Sequence, residues 1–511
     1  MRIRLFNSKK TPKDQKRFLN TTTPKGLVIL NVVLLLTYFI LLAFFFPIGN
    51  KVLFGLLIAG EVFHLWQLLT FLYTIWNTKG ITPPDPNFHP PVDIYVTVAG
   101  EPKEIIEETI VAIKAMEYPE FKVYILNDGY VAHRDNWQEA EMVAQTHGVE
   151  VITRKVGGGA KAGNINNALR QTDNPFIVIF DADHVPHPDF LLKMMPHFSD
   201  PKMAFVQSPQ YYKNYYLNEV TRGAWEQQEL FFGPICRGKN RLNAVTMCGT
   251  NMAIRKEMLL EVGGMCEESI AEDFATGMFL HEHGFKSAYV GEVLAEGLAP
   301  EDFLSYYKQQ FRWARGGLDL IFKYNVLFRK GLTLTQRIQY LASASFYVSG
   351  LIIIMNALIP VVFFFTGLVP VVVATMLLAL IFLPYIFVTL YTLQGSTNFS
   401  YTFRSLAFSM SSFSIHLEAL WSVITGHKPK FEITSKKKLT GNFLYLVKIH
   451  IVYIVLIAAG LIVAVHREGV SASVMANMAW ALLNTVIFTQ FIYLALPEQT
   501  PQPKETIEVA V

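Results

Sequence analysis

Phe176-Ile177-Val178-Ile179-Phe180 is an uninterrupted apolar run, and Asp181-Ala182-Asp183-His184 follows it at once. A short apolar run of this kind reads as a strand buried on both faces of a parallel sheet. Open α/β sheets bind ligands beyond the carboxyl ends of their strands, so the two carboxylates stand where a site belongs. A carboxylate pair there can hold a divalent cation, and such a cation usually serves phosphates. An isolated Asp-x-Asp is more often a loop than a site, and its neighbours decide the matter.

Upstream, apolar runs alternate with helical stretches. Val92–Val98 reads as a strand that breaks at Ala99-Gly100-Glu101-Pro102, before a helix with apolar positions at Ile105, Ile106, Thr109, Ile110 and Ile113. Lys122–Leu126 is a second strand, stopped by Asn127-Asp128-Gly129. A helical stretch, Asn136–His147, leads to the strand Val149–Ile152. The turn Gly157-Gly158-Gly159 then introduces a helix opening with Lys161-Ala162-Gly163-Asn164. Strands alternating with helices predict an α/β domain with a parallel, Rossmann-like sheet. Asp128, Lys161 and the Asp181/Asp183 pair then gather at one sheet edge. Those residue types suit a nucleoside diphosphate: Asp181, Asp183 and His184 could hold Mg²⁺ or Mn²⁺, Lys161 could approach a phosphate oxygen, and Asp128 could accept a hydrogen bond from base or ribose. No Gly-x-x-x-x-Gly-Lys-Ser/Thr occurs, and no Gly-x-Gly-x-x-Gly follows the first strand, so neither a P-loop nor a dinucleotide loop is supported.

The chain around this domain is apolar. Of 511 residues, 51% are hydrophobic and 17% charged, with mean hydropathy +0.30, which excludes an ordinary soluble enzyme. Six stretches are long enough to span a bilayer: Leu27–Pro47, Val52–Trp76, Tyr340–Thr366, Val369–Leu393, Phe443–Val465 and Val474–Leu496. The predicted organisation is a basic N-terminus (1–25), two spans (26–76), a cytosolic catalytic domain ending in interfacial helices (77–337), two spans (338–394), a cytosolic interfacial helix and loop (395–442), two spans (443–497) and a tail (498–511). Arg2, Arg4, Lys9, Lys10, Lys13, Lys16, Arg17 and Lys25 oppose only Asp14, so the positive-inside rule places both termini and the central domain in the cytoplasm, in a plasma or inner membrane. A cleaved signal peptide is not expected, because the n-region and apolar segment are too long and no small-residue cleavage site follows. Cys236, Cys248 and Cys266 lie in the cytosolic domain, are expected reduced, and do not have zinc-site spacing. The basic clusters flank spans and are read as topology determinants, not nucleic-acid contacts. Glu61 and His64 fall inside the second span. They line a path for a polar polymer, or they form a hydrogen-bonded interhelical contact.

Ser269-Ile270-Ala271-Glu272-Asp273 precedes a helix that Gly284 ends. Its acids are first-turn charges complementing a helix dipole, or chemistry. Lys308–Gly316 lies in an amphipathic helix before a span; Trp313 there is an interfacial anchor or a platform for a sugar ring, and Arg312 a headgroup contact or a diphosphate ligand.

Taken together, Asn127-Asp128-Gly129, Lys161-Ala162-Gly163-Asn164-x-Asn166-Asn167-Ala168-Leu169, Asp181-Ala182-Asp183-His184, Val206-Gln207-Ser208-Pro209-Gln210, Cys248-Gly249-Thr250, Glu272-Asp273 and Gln309-x-x-Arg312-Trp313 resemble the signatures of processive family-2 glycosyltransferases of the cellulose synthase type. Phe431-Glu432-Ile433-Thr434-Ser435-Lys436 is similar to that family's gating loop, Phe-x-Val-Thr-x-Lys. The resemblance implies a GT-A glycosyltransferase domain inserted between transmembrane helices. It also implies inverting transfer from a UDP-sugar, UDP-glucose first, to a growing β-linked polysaccharide. In that reading Asp273, with Glu272, is catalytic; Glu101, Asp128, Lys161, Asp181, Gln309 and Arg312 bind the donor; Trp313 and Cys248 bind the acceptor. Asp181, Asp183 and His184 hold Mg²⁺ or Mn²⁺, and Phe431, Thr434 and Lys436 close over the donor. The lipid bilayer is a partner, nucleic acid is not, and accessory export subunits are compatible with it.

Three departures stand out. The family's first strand ends Thr-Tyr-Asn-Glu-Pro, whereas Val98-Ala99-Gly100-Glu101-Pro102 lacks the tyrosine that contacts uracil. Ala271 replaces the threonine of Thr-Glu-Asp. Two spans, not four, precede the domain, and no cyclic-dinucleotide-sensing barrel is expected after Leu496. Rival readings are a non-processive transferase that puts one sugar on a membrane lipid, and a non-catalytic membrane scaffold or transporter.

Overall fold

The computed structural model describes residues 22–427 and 439–497. Ten strands occur in the central domain: β1 (Val92–Val98), β2 (Phe121–Asn127), β3 (Glu150–Thr153), β4 (Phe176–Asp181), β5 (Val185–Pro186), β6 (Met203–Gln207), β7 (Tyr211–Tyr212), β8 (Met252–Arg255), β9 (Lys286–Tyr289) and β10 (Ala295–Gly297). Seven form one sheet in the order β3-β2-β1-β4-β8-β6-β9, and β5-β10-β7 form a small second sheet. All seven residues of β1 are buried, as are Phe176–Phe180 of β4. Helices cover both faces, which is why these strands read as apolar runs without alternation.

The sheet is mixed, not wholly parallel as the strand–helix alternation predicts. β8 runs antiparallel to both β4 and β6. Its direction matters for the site: Met252 pairs with Ile179, so β8 starts beside the place where β4 ends. Cys248-Gly249-Thr250, just before β8, is thereby brought to the edge that carries Asp181 and Asp183.

Among the described residues, six helical segments are long and apolar enough to cross a membrane: Lys25–Phe45, Lys51–Ile75, Leu334–Thr366, Thr375–Ser396, Leu444–Glu468 and Ala472–Ala495. The fourth starts later than the apolar run suggests. Residues 369–372 instead lie beside the turn between the first two spans: the Gly49 amide donates to Pro370 O at 3.1 Å, Asn50 to Val369 O at 2.8 Å and Val372 to Pro47 O at 2.9 Å. A β-carbon at Gly49 would lie 2.3 Å from Val369 O, so this approach needs glycine. Within the spans, Asn31 bonds Thr392 and Thr389, each at 3.0 Å. Tyr38 donates to Glu61 Oε1 at 3.1 Å while stacking on Tyr385 at 5.0 Å, and His64 Nδ1 stands 3.7 Å from Glu61 Oε2. Glu61 thus makes the interhelical contact, not an open polar lining.

The long Phe303–Phe322 helix joins domain to membrane. Asp302 caps it, accepting from Ser305 N at 2.8 Å and also from Leu439 N at 3.1 Å. The Glu219–Leu230 helix is tied to the Phe403–Ser411 helix through Glu226, which accepts from Thr402 Oγ1 at 2.5 Å and Arg404 at 3.0 Å.

Candidate active site

The carboxyl ends of β1, β2, β4 and β6 and the start of β8 share one edge. Asp181 ends β4. The Lys161 ammonium, one residue into the Ala160–Leu169 helix, bonds both Asp181 Oδ1 and, at 2.8 Å, Gly249 O. Thr250 Oγ1 accepts from the Asp181 amide at 2.9 Å. Burial would neutralise both charges, but the pairing outweighs it: with Asp181 and Glu272 nearby the lysine is held above its ordinary value, and with Lys161 and His184 nearby the Asp181 carboxyl is held below its own.

Asp181, Asp183 and His184 offer ligand atoms within 4.8 Å of one another. Asp183 Oδ2 accepts from Leu298 N at 3.2 Å, leaving Oδ1 toward His184 Nδ1, 3.5 Å away. Both imidazole nitrogens are buried without a hydrogen-bond partner among the described residues. A β-carbon at Gly297 would lie 2.5 Å from Nε2, so that side is covered and Nδ1 is the nitrogen turned to the cluster. Two carboxylates and an orphaned imidazole nitrogen fit a divalent cation.

Two motifs lock together beside this cluster. Gln207 accepts from Cys248 N at 2.9 Å and donates to Thr250 O at 2.8 Å, and Gln210 donates to Cys248 O at 2.8 Å. The Cys248 thiol donates to Thr246 O at 3.4 Å. This clamp fixes Gly249 at φ +77° under the carboxylate of Asp273, the second residue of the Glu272–Glu282 helix. Burial, and then the neighbouring Glu272, push the Asp273 carboxyl up to about 7, although Phe274 N donates to it at 2.7 Å. Burial also raises Glu272, against the pull of Lys161 and Arg312.

Gln309, Arg312, Trp313 and Gly316 fall on one face of the Phe303–Phe322 helix. Arg312 lies within electrostatic reach of Glu272. A β-carbon at Gly316 would meet Ala271 Cβ at 2.4 Å, so the helix rides directly on the residue before Glu272. The small pair Ala271/Gly316 sets that closeness.

Two of the expected donor ligands have partners within the fold. Asp128 is not open: Arg154 holds both its oxygens, at 2.8 and 2.6 Å, and also donates to Gly158 O and Ala160 O. Glu101 Oε2 accepts from Ala99 N at 2.6 Å within its own turn. Beside Arg154 lies a groove of about 630 Å³ lined in part by Thr153, Lys155, Gly157, Gly158 and Asn167. Arg154, directly after β3, was not singled out in the sequence; an arginine following a strand at a ligand-binding sheet edge was the available signal. Phe431, Thr434 and Lys436 lie outside the described residues.

A model of cellulose synthases matches residues 244–497, and a model of glycosyltransferase-like family 2 proteins matches residues 89–316. Together the two models span residues 89–497, and the chain is similar to cellulose synthases and to family 2 glycosyltransferases. The UDP-forming cellulose synthase catalytic subunit of Pseudomonas fluorescens (strain SBW25) is 30% identical over 465 residues, covering 86% of this chain and 61% of that protein. Its counterpart in Xanthomonas axonopodis pv. citri (strain 306) is 34% identical over 301 residues, covering 56% of this chain and 40% of its own. Putative cellulose synthase 2 of Komagataeibacter xylinus is 28% identical over 482 residues, covering 89% of this chain and 31% of its own. The chain therefore spans less than two thirds of these relatives. A mannosyltransferase from Pyrobaculum calidifontis, solved with GDP-Man and Mn²⁺, superposes with TM-score 0.52 at 17% identity, covering 74% of this chain and all of that one, which shows the glycosyltransferase fold. With six helices among the described residues long and apolar enough to cross a bilayer, and with this likeness to cellulose synthases, the chain is an integral membrane protein.

Proposed function

We propose that the protein is an inverting glycosyltransferase that moves a sugar from a UDP-sugar to the end of a growing β-linked polysaccharide, with UDP-glucose the first donor to test. The observation that carries this reading is the place of Asp273: its carboxylate stands over Gly249 at the sheet edge that holds the Lys161–Asp181 pair and the Asp181/Asp183/His184 cluster, and burial, with Glu272, raises it to about 7. A base with that affinity is matched to neutral pH. Asp273 takes the proton of the acceptor hydroxyl while its oxygen bonds to the anomeric carbon and the bond from that carbon to the diphosphate breaks. A single displacement inverts the centre, so an α-linked donor gives a β-linkage.

Asp181, Asp183 and His184 Nδ1 are the residues to hold a divalent cation, Mg²⁺ or Mn²⁺. Such an ion supplies positive charge for the leaving diphosphate. Arg312 and Lys161 add fixed charge on the same side, and Trp313 stacks on the terminal sugar of the acceptor. The basic N-terminal residues support a cytoplasmic catalytic domain facing the cytosolic donor pool, with the bilayer and the nascent chain as partners; accessory export subunits are consistent with the family.

The test is transfer from labelled UDP-glucose by the full chain in proteoliposomes with Mg²⁺ or Mn²⁺, followed by sizing and linkage analysis of the product. A long β-linked glucan is expected. A product of one or two sugars on lipid overturns the polymer reading, and no transfer from any UDP-sugar overturns the whole.

A further inference from the structure

Asn166 is buried in the Ala160–Leu169 helix, five residues after Lys161 and on a different face of it. Its carboxamide closes on the backbone of Met265 with both ends. Oδ1 accepts from Met265 N at 2.8 Å, and Nδ2 donates to Met265 O at 2.9 Å. Nδ2 also donates to Glu267 Oε1 at 2.7 Å. Gly264 admits so close an approach, since a β-carbon there would stand 2.5 Å from Asn166 Oδ1.

The segment held in this way, Met265–Glu267, leads into the helix of the proposed base. Cys266 N donates to Thr276 Oγ1 at 2.9 Å, and that hydroxyl donates to Glu272 O at 2.5 Å. Hydrogen bonds thus run from Asn166 through residues 265–267 to the first turn of the Glu272–Glu282 helix. Elsewhere on the same helix Lys161 reaches Gly249 O, beneath Asp273. The helix of the lysine and the helix of the base are therefore tied twice, once across the site and once through Asn166.

We propose that Asn166 is a positioning residue for Asp273, fixing the base-bearing helix against the helix that carries Lys161. This rests on the glycosyltransferase reading above. A base misplaced by about 1 Å can cost on the order of a hundredfold in rate. Lys161 keeps its own bonds to Asp181 and Gly249 when Asn166 is changed, so the loss falls on turnover and not on donor affinity. The fold supplies an internal control. Asn240 makes the same clamp on Tyr289 of β9, accepting from its N at 3.0 Å and donating to its O at 3.1 Å, at the opposite end of the sheet from β3.

The experiment uses the full chain in proteoliposomes with UDP-glucose, or whichever UDP-sugar the wild type uses. Asn166→Ala should lower kcat between about tenfold and a hundredfold, with UDP affinity by titration nearly unchanged. Asp273 faces Glu272, Lys161, Asp181, Cys248 and Tyr347, and burial raises its carboxyl most. A loosened helix admits water, so the pH midpoint of kcat/KM should move below that of the wild type. Asn240→Ala should lower the melting temperature as Asn166→Ala does, yet keep wild-type kcat and midpoint. Asn166→Asp sets two carboxylates together at Glu267; adding Glu267→Gln returns an amide donor and should bring turnover and midpoint back toward wild type. Where Asn166→Ala does not fold, that pair decides, and equal turnover with and without Glu267→Gln overturns the proposal. Wild-type turnover in Asn166→Ala, equal losses in Asn166→Ala and Asn240→Ala, or a fall in UDP affinity that matches the fall in kcat also overturns it, while the glycosyltransferase reading stands. A wild type that transfers from no UDP-sugar overturns both.

Discussion

Asp273 lies directly over Gly249: a β-carbon at 249 would stand 2.8 Å from Asp273 Oδ2 and 3.8 Å from Lys161 Nζ. The proposed base and the lysine that pairs Asp181 thus face the same bare stretch of backbone. Gly249→Ala places a methyl between them and forces a left-handed alanine, itself unfavourable by roughly 1–2 kcal/mol. Turnover should fall more than tenfold while UDP affinity changes less, measured by product formation and nucleotide titration. Unchanged turnover would show that the space over Gly249 is not used.

Asp273→Asn should reduce transfer beyond about a hundredfold, the usual contribution of a general base, with UDP binding nearly intact. In the wild type, log(kcat/KM) should rise with pH and level off near pH 7, because the carboxylate is the active form. The stability sign is opposite. The folded state holds the Asp273 proton up to about 7 whereas the unfolded chain releases it near pH 4, so this group makes the fold less stable as pH rises through that window. Asp273→Asn should therefore melt above wild type at pH 8, with the gap closing toward pH 4. A flat profile and an unshifted melting temperature would remove Asp273 from the base role.

Chelation tests the cation cluster. Excess EDTA should abolish transfer, and added Mg²⁺ or Mn²⁺ should restore it. Asp183→Ala should lose both the activity and the cation-dependent part of UDP affinity, since the proposed ion meets the diphosphate. Full activity in EDTA would contradict that reading of Asp181, Asp183 and His184.

The Asp128–Arg154 pair has both side chains about 10% exposed. Removing one partner of a buried pair costs about 3 kcal/mol or more, so Arg154→Leu should lower the thermal midpoint clearly and weaken UDP binding. The double variant Asp128→Asn/Arg154→Leu should recover much of the stability. If Arg154→Leu melts like wild type, the pair is not a structural support.

Trp313→Ala should shorten the product more than it weakens donor binding, because ring stacking holds a sugar by its apolar face without fixing one hydroxyl. Product length by gel filtration beside UDP titration separates the two effects. Equal product lengths would leave Trp313 as an interfacial anchor.

Much of the central sheet is legible in the chain because burial on both faces forces Val92–Val98 and Phe176–Phe180 to be apolar throughout. The carboxylates that end or follow such runs stand out for the same reason. The direction of β8 is not legible. Met252–Arg255 is a four-residue strand whose hydropathy carries no sense of direction, yet that direction brings Gly249 to Asp181. Nor does spacing show that Arg154 closes on Asp128, or that Gln228 meets Tyr212, since each pairing exists only once separate elements pack. Ala271 looks like a lost threonine in the sequence; in the fold its β-carbon packs on the bare backbone of Gly316.

The backbone bonds between residues 47–50 and 369–372 join two helical hairpins that leave the ribosome with the whole catalytic domain between them. During synthesis the first hairpin must enter the bilayer alone, with Gly49 and Asn50 donating to nothing on the second, Asn31 without Thr389 and Thr392, and Tyr38 unstacked from Tyr385. Its early tenancy rests on hydropathy, and its final seating waits for the second hairpin. The membrane sector is therefore closed from its C-terminal side, and a chain halted within the catalytic domain would leave an anchored but unlatched pair of helices, tied to each other through Tyr38 and Glu61.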